Sequence, residues 1–402
     1  MAENAAVNGA IVVGGGPAGL TAAIALAESG IDIVLAGRRP SKPDNRTTAL
    51  LAGSVTALGA MGVWSLCAGR AAPLKAMRLV DDTGRLWRAP EVKFIAGEIG
   101  LDAFGYNIEN RDLIAALERR ARELPALRSI DDEVVEITPC DDRVQVTLKH
   151  GETLSVQLVI AADGRRSLCR DAAGIEVDTR DYPQTALTLC FAHSRPHCET
   201  STEFHTTSGP FTVVPLPGDR SSLVWVLDPA DADAVAALDD LALAEKIEHR
   251  MHSILGKIAV ERGRGLFPLH VATARRFAHE RIALVGEAAH VIPPIGAQGL
   301  NLGLRDAATV AELAVTAGRA GRDIGGPEVM ARYDKMRHSD VAGRTFAVDL
   351  FNRSLLTDFL PVQSARGLGL YMLDRIGPLR RAVMREGVAP AAQPGLMRGE
   401  AI

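Results

Sequence analysis

Glycines at Gly14, Gly16 and Gly19 follow the short apolar run of "AIVVGGGPAGL" and precede a helix-like apolar pattern. A strand, a GxGxxG turn and a helix in this order are typical of a dinucleotide-binding site. The glycines permit the tight turn, the approach of a pyrophosphate and close packing of helix on strand. Pro17 and Ala18 fall in the first helical turn, where free N–H groups favour phosphate. We interpret the loop as a phosphate-binding turn; a packing turn without a ligand is the alternative.

The end of the second predicted strand departs from this fingerprint. An acid for a ribose hydroxyl is expected there, but the sequence has Gly37 followed by Arg38 and Arg39. A small residue followed by arginine suits the 2′-phosphate of NADP. NADP is therefore a rival ligand for this domain, unless the backbone or a nearby residue serves the ribose.

Three further charged residues have the right chemistry for a cofactor. Arg46, in "DNRTTAL", could bind a pyrophosphate with its two-pronged guanidinium, although a surface arginine has the same appearance. Arg111 opposes the helix dipole at the start of a predicted helix, which suggests a role outside that helix. Asp163 and Gly164 follow a buried strand, where a turn near a ligand face is expected.

A second strand–loop–helix pattern, "RIALVGEAAHVIPPIGAQGLNLGLRDA", ends in a regular apolar helix. Gly286 and Glu287 follow the strand, and the carboxylate of Glu287 could accept hydrogen bonds from a polyol. Pro294 and the proline before it stiffen the loop. His290 is as compatible with a packed structural role as with chemistry, so we do not assign it as a base.

The last part of this loop suits a flat ring. The slim residues Gly296 and Gly299 would let the backbone lie against such a ring. The N–H groups near Gly299, Leu300 and Asn301 begin a helix and could stabilise negative charge on the ring. The residues that we expect to act at the ring are Pro294, Gly296, Gln298 and Gly299.

Composition excludes several other classes of protein. The chain has 402 residues, a formal net charge of −4 and 4% aromatic residues, so neither charge nor aromatic content favours nucleic-acid binding. The five cysteines form no CxxC pair, and no histidine cluster has zinc spacing; we expect no metal site and a reducing, cytoplasmic environment. Two uncharged stretches, 7–27 and 47–69, are interrupted by glycines and polar residues, and we predict no transmembrane segment.

The elements that must position these residues predict an α/β fold. A strand, helix and strand open the chain, alternating strands fill 134–160 and 185–226, and a strand, loop and long helix return at 281–318. "TLSVQLVIAAD" is predicted as one strand, and the last sixty residues as helices. We therefore predict a Rossmann-like nucleotide-binding domain of separated segments, an inserted, mainly antiparallel sheet domain and a C-terminal helical region. The predicted limits are 1–72, 100–175 and 266–335 for the first, 73–99 and 176–265 for the second, and 336–402 for the third.

Taken together, these motifs resemble the FAD-dependent aromatic hydroxylases of the para-hydroxybenzoate hydroxylase type, and most closely those of ubiquinone biosynthesis. The carriers are "GGGPAGL", "DNRTTAL", "FGYNIENRDLIAAL", "LVIAADGRRSLCR", "YPQTAL", "SGPFTVVPLP", "LFPL", "RIALVGEAAHVIPPIGAQGLNLGLRDA" and "GLGLYMLDRIGPLRRAVMREGVA", which extend over nearly the whole chain. The resemblance implies FAD as the cofactor and NAD(P)H as a transient co-substrate. This sequence departs from the family pattern at two positions: Gly37 stands where the family usually has Glu, and Glu287 stands where it usually has Asp.

The resemblance also implies roles for matching residues. Gly14, Gly16 and Gly19 would hold the FAD pyrophosphate, with Arg46 beside it. Arg111 would contact the ribityl or phosphate region. Asp163 would link FAD and NAD(P)H, Glu287 would bind the ribityl chain, and the residues from Pro294 to Asn301 would line the flavin ring.

The implied reaction is aromatic hydroxylation through a flavin C4a-hydroperoxide, with O2 as oxidant and a polyprenyl phenol of ubiquinone synthesis as the expected substrate. The protein must exclude water, because the hydroperoxide otherwise decays to hydrogen peroxide. Three alternatives remain: a hydroxylase of a small soluble aromatic compound, a flavin- or NADP-binding reductase, and a non-catalytic partner in a biosynthetic complex.

The segment 360–385 mixes apolar residues with five arginines. Such a segment could lie on an anionic membrane surface, in keeping with a membrane-borne substrate. The alternative is a pair of helices packed on the main domain, since Gly377 and Pro378 interrupt the pattern.

Overall fold

The computed structural model describes residues 5–6, 9–37, 44, 46–84, 90–294, 296–356, 369, 371–372, 375–388, 390 and 392–402, with the side chains of 5–6 and 345–356 left undescribed. In chain order, the strands are β1 (Ala5–Ala6), β2 (Ala10–Val13), β3 (Ile33–Ala36), β4 (Thr47–Leu51), β5 (Ala71–Pro73), β6 (Ala76–Asp81), β7 (Val92–Ile95), β8 (Gly105–Glu109), β9 (Leu127–Ile130), β10 (Val134–Pro139), β11 (Val144–Leu148), β12 (Thr153–Val156), β13 (Leu158–Ala161), β14 (Val177–His193), β15 (Thr200–His205), β16 (Pro210–Leu216), β17 (Arg220–Leu227), β18 (Ile258–Val260), β19 (Gly265–Ala274), β20 (Ala278–His279), β21 (Ile282–Leu284) and β22 (His290–Val291). The α-helices are α1 (Pro17–Glu28), α2 (Ala52–Ala60), α3 (Trp64–Cys67), α4 (Asn110–Arg122), α5 (Leu168–Ala172), α6 (Pro229–Ala236), α7 (Asp240–Arg250), α8 (Gln298–Arg319), α9 (Pro327–Leu356) and α10 (Gly377–Val388).

A largely parallel sheet forms the first part of the fold, in the order β20-β21-β13-β2-β3-β9. The pairs from β21 to β9 are parallel, and only the short β20 runs antiparallel to its neighbour. All residues of β2, β3 and β13 are buried, as expected for strands covered on both faces. The chain order changes direction around β2, because β3 lies on one side of it and β13 on the other. Ligands of open α/β sheets bind at such a switch point.

The second part is a large sheet in the order β22-β19-β14-β17-β16-β15-β6-β7, with β18 paired to β14. Its pairs are antiparallel except for β15 and β6. Helices α6 and α7 cover one face through an apolar cluster that includes Phe204, Phe211 and Trp225. The other face meets a three-stranded antiparallel sheet of order β4-β8-β5, where the hydroxyl of Thr47 donates to that of Ser222 over 2.9 Å. The predicted fold class is confirmed.

The strand predicted over 153–163 is in fact two strands in different sheets. β12 pairs with β11 in a four-stranded sheet, while β13 begins two residues later in the parallel sheet. The alternating pattern of β12 and the continuous apolar run of β13 are two different burial patterns, which the sequence joins without a turn residue.

The C-terminal region packs against the edge of the large sheet. Met384 and Val388 of α10 lie in a small core with Val92 and Phe94 of β7. Among the described residues, no single helix is long and apolar enough to span a membrane; the pair Ala52–Ala60 and Trp64–Arg70 reaches that length and composition only together, bent by 109°.

Candidate active site

Three of the predicted ligand loops lie side by side at one edge of the parallel sheet. The glycine loop leaves β2, Asp163 leaves β13 and Gly286 leaves β21, and these strands are neighbours with a common direction. Their carboxyl ends therefore open on the same crevice. A methyl group added at Gly303 of α8 would lie 3.2 Å from both the Cβ of Ala18 and the Cα of Gly286, so α1, α8 and the Gly286 loop are in close contact.

The glycine loop has two crowded positions and one open position. A Cβ added to Gly14 would lie 2.2 Å from the carbonyl oxygen of Ala162. A Cβ added to Gly19 would lie 2.1 Å from the carbonyl oxygen of Gly14. Gly14 also has a φ of +114°, which side chains disfavour. Around Gly16, by contrast, no atom lies within 4 Å of the added Cβ. Two glycines are thus needed for packing, while the third leaves a free space before the first turn of α1, which fits a pyrophosphate.

The departure at Gly37 has a steric counterpart. A Cβ at this position would approach the backbone nitrogen of Gly15 to 2.9 Å and the Cα of Gly14 to 3.2 Å. The Gly37 N–H is bonded to the carbonyl of Ile130, which fixes the end of β3 beside the glycine loop. A longer side chain would press on this loop unless the loop shifted. Arg38 lies outside the described residues.

Asp163 holds its own turn together. One carboxylate oxygen accepts a hydrogen bond from the hydroxyl of Ser167 at 2.6 Å, and the other accepts from the N–H of Cys169 at 3.1 Å. These bonds fix the start of α5 and keep the turn at Gly164, whose φ is +81°, at the edge of the crevice.

Glu287 and Arg46 each form an ion pair with another residue. Glu287 is half-exposed and pairs with Arg165 at 3.2 Å. The guanidinium of Arg46 pairs with Asp44 at 2.7 Å and lies over the ring of Phe267, 5.6 Å from its centre. The hydrogen bond to Asp44 raises the pKa of Arg46, and the charge of Glu287 raises it further. The two candidate cofactor residues are therefore within electrostatic reach of each other.

Arg111 lies in a cluster of charges at the start of α4. It pairs with Glu109 at 2.7 Å, and Glu109 also accepts from Arg220 at 3.2 Å. Arg220 in turn pairs with Glu261 at 2.7 Å. The ion pair with Glu109 offsets the unfavourable position of Arg111 at a helix N-terminus.

The start of α8 is fixed by an amide that the sequence does not reveal. Asn301 is buried, and its oxygen accepts from the N–H of Leu51 at 2.9 Å and the hydroxyl of Ser54 at 2.7 Å. Its NH2 group donates to the carbonyls of Ala49 and Ala297. This side chain fastens the helix start to β4 and α2. Any contact of residue 301 with a ligand would therefore be made by its backbone.

The loop before α8 turns sharply into the helix. Gly296 and Ala297 have φ values of +65° and +55°, and the side-chain NH2 of Gln298 donates to the Gly296 carbonyl at 2.9 Å. No atom lies within 4 Å of an added Cβ at Gly299. Pro294 and Leu300 flank this turn. The first N–H groups of α8, which have no partner within the helix, open on the same free space.

A buried network of charges stands behind the Gly286 loop, and sequence analysis missed it. Asp306 accepts from the Gly286 N–H at 2.9 Å, from His290 at 2.7 Å and from Arg337 at 2.6 Å. Burial raises the pKa of the Asp306 carboxyl, but Arg337 and His290 outweigh this effect and hold the pKa below its usual value. Arg337 also pairs with Asp340 at 2.6 Å. The only signal in the sequence was the rare presence of an acid within an apolar helix pattern.

Comparison with known proteins identifies the class. The FAD binding domain family matches residues 8–344. The chain is 36% identical to ubiquinone hydroxylase UbiL of Rhodospirillum rubrum, over 97% of this chain and 92% of that protein. It is 30% identical to 3-demethoxyubiquinol 3-hydroxylase of Escherichia coli, over 93% and 96%. The fold is similar to that of p-nitrophenol 4-monooxygenase PnpA from Pseudomonas putida, with a TM-score of 0.76, 21% identity and coverage of 99% and 100%.

The crevice and these matches define an FAD-dependent monooxygenase. The chain belongs to the FAD binding domain family, in the branch that contains hydroxylases of ubiquinone biosynthesis. The resemblance inferred from the motifs is thereby confirmed, together with FAD as the cofactor. The roles of individual site residues stay predictions.

Proposed function

We propose that this chain hydroxylates the aromatic ring of a polyprenyl phenol in ubiquinone synthesis, with NAD(P)H as reductant and O2 as oxidant. The observation that carries the proposal is the pairing of two surfaces: the crevice formed by three ligand loops, and the half-buried face of the large sheet opposite it. The relatives named as a ubiquinone hydroxylase and a 3-demethoxyubiquinol 3-hydroxylase support the choice of substrate class. When bound, FAD would supply the activation of oxygen, and the protein would bind, orient and exclude water.

The residues proposed to hold FAD form a continuous path along the crevice. The pyrophosphate would lie at the open space beside Gly16 and the α1 N-terminus. Arg46 and Arg111 would supply positive charge, and Glu287 would accept hydrogen bonds from the ribityl chain. The flavin ring would lie against Pro294, Gly296, Gln298 and Gly299 and the N–H groups that begin α8.

The test is an anaerobic reduction experiment on the purified protein loaded with FAD. NADPH or NADH is added without and then with a phenol carrying a short prenyl chain, and flavin absorbance is followed. We expect the phenol to accelerate bleaching, and admission of O2 to give one hydroxylated product per NAD(P)H. Reduction without oxygen incorporation would support a reductase, and no reduction would support a non-catalytic partner.

The rival substrate class is separated by the same assay. A hydroxylase of small soluble aromatics would respond equally to a phenol with and without a prenyl chain. A polyprenyl-phenol hydroxylase should lose affinity when the chain is removed, because each buried methylene contributes about 0.8 kcal/mol.

We also infer that α10 and the residues before it rest on an anionic membrane surface. Met372, Ile376, Leu379 and Val383 form an exposed apolar stripe at helical spacing. The bonds from Ile376 N–H to the Met372 carbonyl and from Arg380 N–H to the Ile376 carbonyl have the four-residue spacing of an α-helix.

The charges beside the apolar stripe and the packing of α10 support the proposed membrane contact. The exposed Arg375, Arg381 and Arg385 flank the apolar stripe, which suits anionic lipid headgroups. The opposite side of α10 packs on β7 at the edge of the large sheet. α10 therefore lies between the proposed membrane surface and the edge of the large sheet.

Flotation with vesicles tests this surface. We expect binding to phosphatidylcholine vesicles that contain phosphatidylglycerol and little binding to phosphatidylcholine alone. Replacing Ile376, Leu379 and Val383 by Ser should abolish binding, whereas Leu241→Ser, which removes another exposed leucine, should not. Equal binding by both variants would overturn the assignment.

A further inference from the structure

The two faces of the large sheet differ in burial. On the face beneath α6 and α7, the central residues Phe204, Phe211 and Trp225 are fully buried. On the opposite face, Val224, Thr212, Thr188 and Val214 are half-buried although they lie in the middle of the sheet, whereas Ser222 and Val226 on either side of Val224 are buried. Central residues keep this exposure only where the sheet borders an open space. The face therefore forms one wall of a cleft.

This wall contains an acid and an imidazole in direct contact. Glu203 and His205 alternate with Phe204 on β15 and so point away from α7. Nε2 of His205 lies 3.0 Å from one carboxylate oxygen of Glu203, and the hydroxyl of Thr212 donates to the other at 3.2 Å. The His205 side chain is 1% exposed, while that of Glu203 is 15% exposed. The carboxylate is therefore partly exposed, on the face of the sheet opposite α7.

Strand register gives the distance of Glu203 from the part of the sheet that contacts β4. Glu203 is paired with Thr212, and Thr212 with Val224. Val224 is two residues from Ser222, which Thr47 of β4 contacts. From Ser222 to Glu203 the path is two strand spacings and one pleat repeat, roughly 12 Å.

The loop expected at the flavin ring is attached to the same strand. Asn301 ties the α8 start to Ala49 and Leu51 of β4. At the far side of the sheet, Arg46 lies over Phe267. We expect the flavin ring and the phenol between these contacts, the α8 N-terminus and Glu203.

We infer that Glu203 is the base that accepts the proton of the substrate's phenolic hydroxyl. The O–H bond of the phenol breaks, the proton goes to the free side of the carboxylate, and the electron pair stays on the phenolate oxygen. A phenolate donates more electron density to its ring than a phenol does, so electrophilic oxygen attacks it more readily. This inference rests on the proposed function and adds a residue of the sheet domain to it.

His205 acts as a positioning residue. Its ring N–H donates to Glu203 and holds the carboxylate toward the cleft, as the hydroxyl of Thr212 does from β16. Asp81 of β6 is paired with His205 and is the nearest charged residue on that strand. A buried imidazole bonded to a carboxylate favours one carboxylate orientation, which a general base needs.

The test compares Glu203→Gln with Glu199→Gln in the FAD-loaded enzyme. Glu199 pairs with the exposed Lys75 at 2.8 Å just before β15, so the same chemical change is made outside the cleft. With a short-chain prenylated phenol, we expect Glu203→Gln to lower kcat for hydroxylation about 100-fold or more, the usual range for a general base, with little change in KM. FAD content should not change.

Substrate acidity supplies a second readout. A ring-fluorinated analogue that is already ionised at the assay pH should bring the rate of Glu203→Gln close to that of wild type, because no proton needs removal. His205→Gln should show a smaller loss with the same rescue. If kcat falls equally with the phenol and with its ionised analogue, Glu203 and His205 act in folding or binding, and the inference is overturned. A Glu203→Gln variant with wild-type kcat would also overturn it.

The failure of the proposed function has a different signature. If the wild-type enzyme hydroxylates neither phenol, the function itself is wrong. If wild type hydroxylates both and the variants match it, only the role of Glu203 is wrong. Thermal unfolding of each variant shows whether a lost rate reflects lost structure.

Discussion

The two glycine loops of the crevice perform similar tasks but are held in different ways. The loop before α1 is fixed by backbone packing, since Gly14 and Gly19 leave no room for a side chain. The loop before α8 is fixed by buried polar side chains, with Asn301 tying the helix start to β4 and Asp306 holding the N–H of Gly286. The first loop depends on the absence of side chains, and the second on hydrogen bonds from elements distant in sequence.

This difference predicts different responses to mutation. Steric contacts within one loop break locally, whereas a buried network that joins α8, α9 and the Gly286 loop should affect stability and cofactor binding together. The largest effect is therefore expected at Asp306, which is fully buried and contacts three groups.

Asp306→Asn should cost about 3–5 kcal/mol of unfolding free energy, because it leaves the buried Arg337 without a full counter-charge. Urea unfolding of the FAD-free protein measures this loss. FAD affinity should also fall, since the amide holds the Gly286 N–H less firmly. The matched control is Asp171→Asn, a change on the exposed side of α5. A stable Asp306→Asn protein would show that the network is dispensable.

The same network should make stability depend on pH. Asp340 resembles Asp306: burial raises its pKa, but Arg337 and Arg305 outweigh burial and lower it below the usual value. A carboxyl with a lowered folded-state pKa stabilises the fold above its unfolded pKa, and this contribution is lost as pH falls below about 4. We expect urea midpoints to decline from pH 5 to pH 3. The decline should be shallower in Asp306→Asn; an equal decline would place the titrating groups elsewhere.

The contrast between the two loops also explains which parts of the fold and of the site could be predicted from the sequence. The GxGxxG turn and the β–α–β order are local patterns, so the fold class and the glycine loop could be predicted. The ties made by Asn301 and Asp306 join residues that are 250 and 20 positions from their partners. Glu203 and His205 were missed because nothing in "STEFHTT" distinguishes a cleft wall from an ordinary alternating strand. The division of 153–163 into two strands was missed because no turn residue separates the alternating half from the continuously apolar half.

Two glycines of the loop before α1, Gly19 and Gly16, can be compared directly because one is crowded and the other is not. Gly19→Ala should destabilise the protein by about 2–3 kcal/mol, because its Cβ would overlap the Gly14 carbonyl. Gly16→Ala meets no protein atom, so stability without FAD should change by less than about 1 kcal/mol. Its FAD affinity should nevertheless fall, because the methyl group would fill the space proposed for the pyrophosphate. Unfolding and FAD titration of both variants check this. If Gly16→Ala binds FAD normally, the pyrophosphate lies elsewhere.

The smallest change in stability is expected at Glu287, which is half-exposed at the crevice mouth and pairs with Arg165. Exposed ion pairs contribute about 0–1 kcal/mol, so Glu287→Gln should unfold nearly as wild type does. FAD affinity should fall by about 1.4 kcal/mol, or tenfold, if the carboxylate accepts ribityl hydroxyls, since a charged acceptor bonds more strongly than an amide. Glu287→Asp restores the family's usual residue and should retain binding. If the Glu287→Gln and Glu287→Asp variants bind FAD equally well, the cofactor does not use the negative charge at this position. The loop before α8 would then bind FAD through its backbone, as the loop before α1 is proposed to do.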